Sequence, residues 1–93
     1  MRLAGLAKRA GRLIHGTTAV RQSLATKARL LLLASDAACR TQRDLSAAAG
    51  RRGVPVYMPG NRHELGRCCG TEETVALAIE DEGFAAAIRE ALE

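Results

Sequence analysis

The chain has 93 residues, 47% of them apolar and 26% charged, with a net charge of +4. That length allows one domain with a modest core, and the apolar share excludes a disordered chain. No apolar run approaches the roughly 20 residues of a membrane span. Arg2, Lys8, Arg9 and Arg12 spread charge through the stretch that a secretory signal would keep apolar, so the expectation is a cytoplasmic protein.

In chain order, Leu3, Leu6, Ala7 and Ala10 fall at helical spacing, and Gly11 stops a first helix over 2–10. Residues 12–15 read as a short edge strand, broken by Gly16. Thr17 or Thr18 can then N-cap a helix to about Ala25, with Ala19 or Val20 and Leu24 inward. Leu30 to Ala34 has no polar alternation and reads as a strand covered on both faces. Thr41 and Asp44 have capping-box spacing for a helix to about Ala49, stopped by Gly50 or Gly53. Residues 54–58 form a third strand with Pro55 near its start, and Pro59-Gly60 turns the chain. Asn61 and Glu64 cap a short helix through about Cys68, ended by Gly70. Residues 74–79 make a second buried strand. Phe84, Ala87, Ile88, Ala91 and Leu92 mark an amphipathic closing helix with an acidic outer face. Helices interleaved with short buried strands imply an α/β fold, a central sheet with helices on both faces.

The charge is unevenly placed. Residues 1–71 carry thirteen Lys/Arg against Asp36, Asp44 and Glu64, a net of +10, whereas residues 72–93 carry one Arg against seven carboxylates, a net of −6. A basic body with an acidic end suits a polyanionic partner on one side. The three cysteines, Cys39, Cys68 and Cys69, are odd in number with two adjacent, which implies no disulfide framework. They lack zinc-ligand spacing with each other or with His15 and His63, and read as buried or half-buried thiols. No cofactor and no metal are expected. No phosphate-binding glycine loop is present, and neither histidine sits beside a nucleophile in a motif, so the chain reads as a non-enzyme. Tyr57 and Phe84 are the only aromatic residues. A base-stacking platform for single strands is therefore excluded, leaving recognition of shape and backbone.

Three segments could carry function. Gly16-Thr17-Thr18 opens a helix, whose free amides and positive dipole end suit an anion, with Arg12, Arg21 and Lys27 near in sequence. Leu65-Gly66-Arg67-Cys68-Cys69-Gly70 reads as an apolar turn bounded by glycines, with one arginine to hold a phosphate. It reads equally as a C-capped helix with Leu65 and Cys68 facing the core. Ser35-Asp36-Ala37 ends a buried strand, where Asp36 could be a contact or a helix cap.

Ala7 to Leu13 followed by Gly16, then Lys27 to Leu30, Ala34 to Ala37, Val54-Pro55-Val56 and Leu65 to Gly70, together resemble the ribosomal L7Ae/L30e superfamily, in particular its small bacterial members of the YlxQ/YbxF type. The resemblance implies a three-layer α/β/α sandwich with a central mixed four-stranded sheet. It implies binding of kink-turn RNA, a sharply bent duplex with tandem G·A pairs. By position, the helix-start contacts would be Gly16, Thr17 and Thr18, preceded by Arg12 and His15 and followed by Arg21 or Gln22 one turn later. The L-G-x-x-x-G segment would supply Leu65, Gly66, Arg67 and Cys68 to an extruded nucleotide. Strong kink-turn binders carry Asn, Glu and Lys where this chain has Thr18, Ala19 and Gln22, which favours backbone and shape recognition. The expected partner is structured RNA, including ribosomal RNA, bound by a monomer with no membrane and no small-molecule substrate. Two alternatives stand beside this reading. One is a protein-interaction module docking through the acidic helix 82–93. The other is a small enzyme with His63 or Asp36 in a substrate-sized pocket.

Overall fold

Leu30, Leu31, Leu32 and Leu33 are all fully buried, so the strand they form must be covered on both faces. The computed structural model, which describes residues 2–93, shows how. Its elements run α1 (Arg2–Arg9), β1 (Leu13–His15), α2 (Thr17–Thr26), β2 (Leu30–Ala34), α3 (Cys39–Arg51), β3 (Val56–Gly60), α4 (Arg62–Cys69), β4 (Ala76–Ile79) and α5 (Glu82–Leu92). Leu30 and Leu32 join Leu77 and Ile79 of β4 in a core with Ala4, Leu65, Cys69 and Ile88, beneath α1, α4 and α5. Leu31 and Leu33 join Ala76 and Ala78 in a second core with Val20, Leu24, Leu45 and Ala49, beneath α2 and α3. Each large side chain so buried contributes about 1.5–3 kcal/mol. The result is a three-layer α/β/α sandwich.

The sheet is four-stranded and mixed, in the order β1-β4-β2-β3. β4 runs antiparallel to both neighbours, and β2 and β3 are parallel. Consequently β1, β2 and β3 all point the same way, and each feeds a helix at its C-terminal end. The starts of α2, α3 and α4 therefore lie at one end of the sheet, together with the entry to β4. In open α/β sheets, the carboxyl ends of the strands are where ligands sit. We call this end the rim.

Several boundaries differ from the sequence expectation. The N-cap of α2 is Gly16 rather than Thr17 or Thr18. Its φ of +93° turns the chain sharply out of β1, and no side chain caps the helix. Val20, not Ala19, faces the core with Ser23 and Leu24. Helix α3 starts at Cys39, ahead of the Thr41/Asp44 spacing, and Ala38 caps it without a side-chain bond. Gln42 donates instead to the Ala34 and Ser35 carbonyls, and Asp44 pairs with Arg21. Gly50 lies within α3, and Gly53, at φ +68°, ends the turn that follows. Strand β3 covers Val56–Gly60, so Pro59-Gly60 continues the strand rather than turning. The missing amide of Pro59 is tolerated because β3 is an edge strand, and its register against β2 shifts between Leu32 and Ala34. Strand β4 begins at Ala76, two residues later than expected. In α5 the inner face is Ala85 and Ile88, while Ala91 is exposed. Cys39 is exposed, against the expectation of a sheltered thiol.

The largest difference concerns Leu65 to Gly70. These residues are not a loop but the body and stop of α4, which ends at Gly70 in the left-handed region, φ +78°. Gly66 is buried because the returning chain crosses over it. A Cβ there would lie 2.5 Å from the Glu73 Cα and 2.7 Å from its backbone nitrogen. Gly50, also helical, has nothing within 4 Å of its would-be Cβ. Gly66→Ala should therefore destabilise the fold by roughly 1–3 kcal/mol through overpacking. Gly50→Ala should stabilise it by up to about 1 kcal/mol through helix propensity. Urea denaturation of the two variants measures the opposite signs; two equal effects would contradict the close approach.

Candidate functional site

The rim is held together by backbone bonds between most of the elements reaching it. Gly16 donates to the Ala76 carbonyl at 3.2 Å, and Ala34 donates to Val75 at 2.9 Å. Ser35 donates to Gly60 at 2.8 Å, and Thr74 to Arg62 at 3.0 Å. The starts of β4, α2 and α4 and the end of β2 are thereby fixed relative to one another.

Three helices open here, and they are finished differently. At α4, Asn61 accepts from the Glu64 amide at 2.9 Å and Glu64 accepts from the Asn61 amide at 2.8 Å, a reciprocal capping box. Asp36 adds a cap from across the rim. It accepts from the Arg62 amide at 2.9 Å and from Arg62 Nε at 3.3 Å, while Arg62 Nη2 donates back to the Asp36 carbonyl at 2.8 Å. The start of α4 is closed. At α2 and α3 no side chain caps the helix. The first amides of a helix have no partner within it, so these two starts present unpaired donors and their positive dipole ends. Nothing lies within 4 Å of where a Gly16 Cβ would be, so the approach to α2 is open.

Around that opening, Thr18, Ala19, Arg21 and Gln22 are exposed, Thr17 is half-buried, and His15 is exposed at the end of β1. Arg21 sits 3.9 Å from Asp44, with both side chains more than half exposed, a weak pair. Asp36 reaches this rim as well. Burial works to raise its pKa, but the Arg62 amide and guanidinium outweigh that and hold the carboxyl below the ordinary aspartate value.

Not every expected residue comes to the rim. Arg12 precedes β1 at the far end of the sheet, where its carbonyl accepts from the Glu80 amide. Lys27 is the C-cap of α2, a ten-residue helix, and so lies about 15 Å along the axis from the helix start. Leu65 is 1% exposed and Gly66 is buried beneath Glu72 and Glu73, so neither offers a contact surface. Of that segment, Arg67 is exposed and Cys68 is half-buried, lining a groove of about 630 Å³ with Gly5, Pro59 and Leu92.

The structure adds residues the sequence reading passed over. One is the uncapped start of α3, with Cys39, Arg40 and Arg43 exposed; the Thr41/Asp44 spacing suggested a capped helix there. Another is the return segment 71–75, which runs back along α4 to the rim, with His63 and Glu73 3.8 Å apart beside it. Gly66 offered a signal for it, but not a distinguishing one, since Gly50 is also helical and has nothing beside it. His63 and Asp36 line neither the 630 Å³ groove nor a second hollow of about 190 Å³. Among the described residues no group of His, Cys, Asp and Glu is placed to hold a metal ion, and no helix is long and apolar enough to cross a membrane.

An α/β/α sandwich with an open, glycine-led helix start at the strand ends defines a class of small proteins, and the sequence places the chain within it. Residues 1–89 match the ribosomal protein L7Ae/L30e/S12e/Gadd45 family, and the chain belongs to that family. The RNA-binding protein YlxQ of Bacillus subtilis (strain 168) is 34% identical over 84 residues, spanning 89% of this chain and 84% of YlxQ. Among solved structures, a Bacillus halodurans protein described as of unknown function superposes with a TM-score of 0.93 at 34% identity, over 98% of this chain and 93% of its own. The Giardia lamblia 15.5kD RNA binding protein shares the fold, with a TM-score of 0.79 at 22% identity, over 98% of this chain and 79% of its own.

The Asp36–Arg62 lock carries a pH signature. A carboxyl whose folded pKa lies below its unfolded value stabilises the fold fully above the unfolded value, and loses that contribution as pH falls through the folded one. The stability advantage of the wild type over Asp36→Asn should therefore be constant near neutrality and shrink as pH drops below the ordinary aspartate value of 3.8. Denaturant titrations across the acid range measure it; an advantage that persists unchanged into strong acid would refute the lock.

Proposed function

We propose that this protein binds structured RNA at the rim, with the open start of α2 as the principal contact, and that it carries out no reaction there. The observation that supports the reading most is the contrast between helix starts. At α4 side chains engage the Arg62 and Glu64 amides, while α2 begins at a glycine with no side chain across its amides. Free amides at a helix N-terminus suit phosphate and base-edge acceptors. Family membership and the likeness to a protein named as RNA-binding support the same reading.

The RNA class proposed is a bent duplex of the kink-turn type, or a ribosomal RNA segment of that shape, bound by a monomer in the cytoplasm. Half-buried Thr17 and exposed Thr18 and Gln22, with His15 and Arg21 beside them, form the frame around the amides. At the rim Arg62 is committed to Asp36 and Arg21 lies near Asp44, while Arg40 and Arg43 at the start of α3 are exposed. Recognition at the start of α2 itself rests on main-chain donors and fit. Thr18 supplies a hydroxyl, and Ala19 supplies no acceptor.

Binding to a kink-turn duplex and to ribosomal RNA fragments, measured over a range of salt, tests this. About four phosphate contacts give a log–log slope of roughly −3 to −4. Thr18→Ala should weaken binding by about 1 kcal/mol or less, the net value of one hydrogen bond. The triple change Thr18→Asn, Ala19→Glu, Gln22→Lys should strengthen kink-turn binding by about 1 kcal/mol or more by adding base-edge and phosphate partners. Absent or salt-independent binding across the panel would sink the proposal.

A further inference from the structure

We propose that the arginine-lined hollow at the end of the sheet opposite the rim takes a phosphate group, which in an RNA complex is a backbone phosphate of a second RNA segment. The RNA source rests on the function proposed above; the phosphate chemistry stands on the hollow itself. The hollow has a volume of about 190 Å³ and is lined by Arg29 at the head of β2, by Arg52, Gly53 and Pro55 between α3 and β3, and by Glu82 and Arg89 of α5. That is room for one anion and a few waters, a water occupying about 30 Å³.

Three arginines line this hollow against one carboxylate residue, Glu82. Among the described residues, none of Arg29, Arg52 and Arg89 has a carboxylate oxygen within 4.0 Å. The acidic neighbours just before Glu82 are engaged elsewhere. Glu80 accepts from the Ser23 hydroxyl at 2.6 Å, and Asp81 caps α5 by accepting from the Phe84 amide at 2.9 Å. The Nε of Arg89 is buried and donates to nothing, although its guanidinium acts on the Tyr57 hydroxyl that donates to Glu93. Guanidinium forks match phosphate oxygens in shape as well as charge.

A purely structural use accounts for part of the cluster. Lys27 and Arg52 stand at the C-terminal ends of α2 and α3, where cations complement the helix dipole, and Arg52 donates to the Leu24 carbonyl at 3.0 Å. Arg29 has no such use. It is exposed, lies two residues beyond the Lys27 cap at the head of β2, and its backbone amide alone is engaged, by Ile79. Arg12 and Arg51 add unpaired charge at the same end. This second group of positive charge lies one α2 length from the rim, about 15 Å, a distance one bent RNA can cover from the first contact.

The test has two arms, read on the full chain and on two variants of exposed residues, Arg29→Glu in the hollow and Arg51→Glu outside its lining. In the first arm, inorganic phosphate is titrated without RNA and amide chemical shifts are followed. Shifts are expected at Arg29, Gly53 and Val54 in the wild type and in Arg51→Glu, and are lost in Arg29→Glu. In the second arm, kink-turn RNAs with a short and an extended stem are compared across salt. The extended stem should give a steeper slope by roughly 0.7–0.9 for each added phosphate, and Arg29→Glu should remove that increment while leaving the short stem's slope unchanged. Success of the first arm alone assigns a free phosphate as the source; success of the second assigns RNA. Failure of both, or equal losses in Arg29→Glu and Arg51→Glu, overturns the proposal. If the wild type binds neither RNA, the rim reading fails while the phosphate arm still decides the hollow.

Discussion

Val75 and Ala76, consecutive residues at the entry to β4, each accept a hydrogen bond from a different strand end: Ala34 of β2 and Gly16 after β1. Because β4 runs against both of its neighbours, its first residues must lie where theirs stop. That reversal brings the chain out of α4 and across the rim. It sets the start of α2 against the end of β2, although the two are far apart along the chain. Were β4 parallel, its start would lie at the opposite end, and the open helix start would stand alone. The geometry of the rim is therefore a consequence of strand direction.

The two faces of the sheet are not equivalent, and the difference is written in β4. It gives Leu77 and Ile79 to the face under α1, α4 and α5, and only Ala76 and Ala78 to the face under α2 and α3. The short side chains let α2 sit directly against β4 and β1. Its first turn is then held at a fixed height over the strand ends. Precision at the rim depends on that shallow contact as much as on the bonds to Val75 and Ala76.

Much of this was legible in the residues. The leucine run of β2 could only be a doubly covered strand, and Asn61 with Glu64 stated its capping box outright. The element order followed from alternating periodicities. Boundaries failed where a distant partner decides them. Thr41 and Asp44 have capping spacing, yet α3 begins two residues before Thr41 because Gln42 turns back to the end of β2. Pro59-Gly60 has turn composition, yet both continue β3, since pairing to β2 extends to Gly60. The Leu65 to Gly70 segment carried two readings, and the helix announced by the Asn61/Glu64 capping box and ended at Gly70 is the one that forms. At Gly16 a helix start was legible, although the residues pointed to a threonine cap that the structure lacks. Arg12 and Lys27, near in sequence, proved to belong to the other end of the molecule because a strand and a helix each carry the chain the length of the sheet.

The unobstructed glycine at the head of α2 has a bearing on how such proteins diverge. Donors that belong to the main chain are present whatever side chains follow, so the positions around them can drift without erasing the surface they frame. Thr18, Ala19 and Gln22 can then be read as tuning, each changing how selective the surface is. The positions that drift cannot reach are those that set the path of the backbone: Gly16, where the chain leaves its strand with a dihedral that other residues rarely adopt, and Gly66, where one segment passes over another with no space between. In this chain two absent side chains thus fix the path of the backbone at the rim and beside α4.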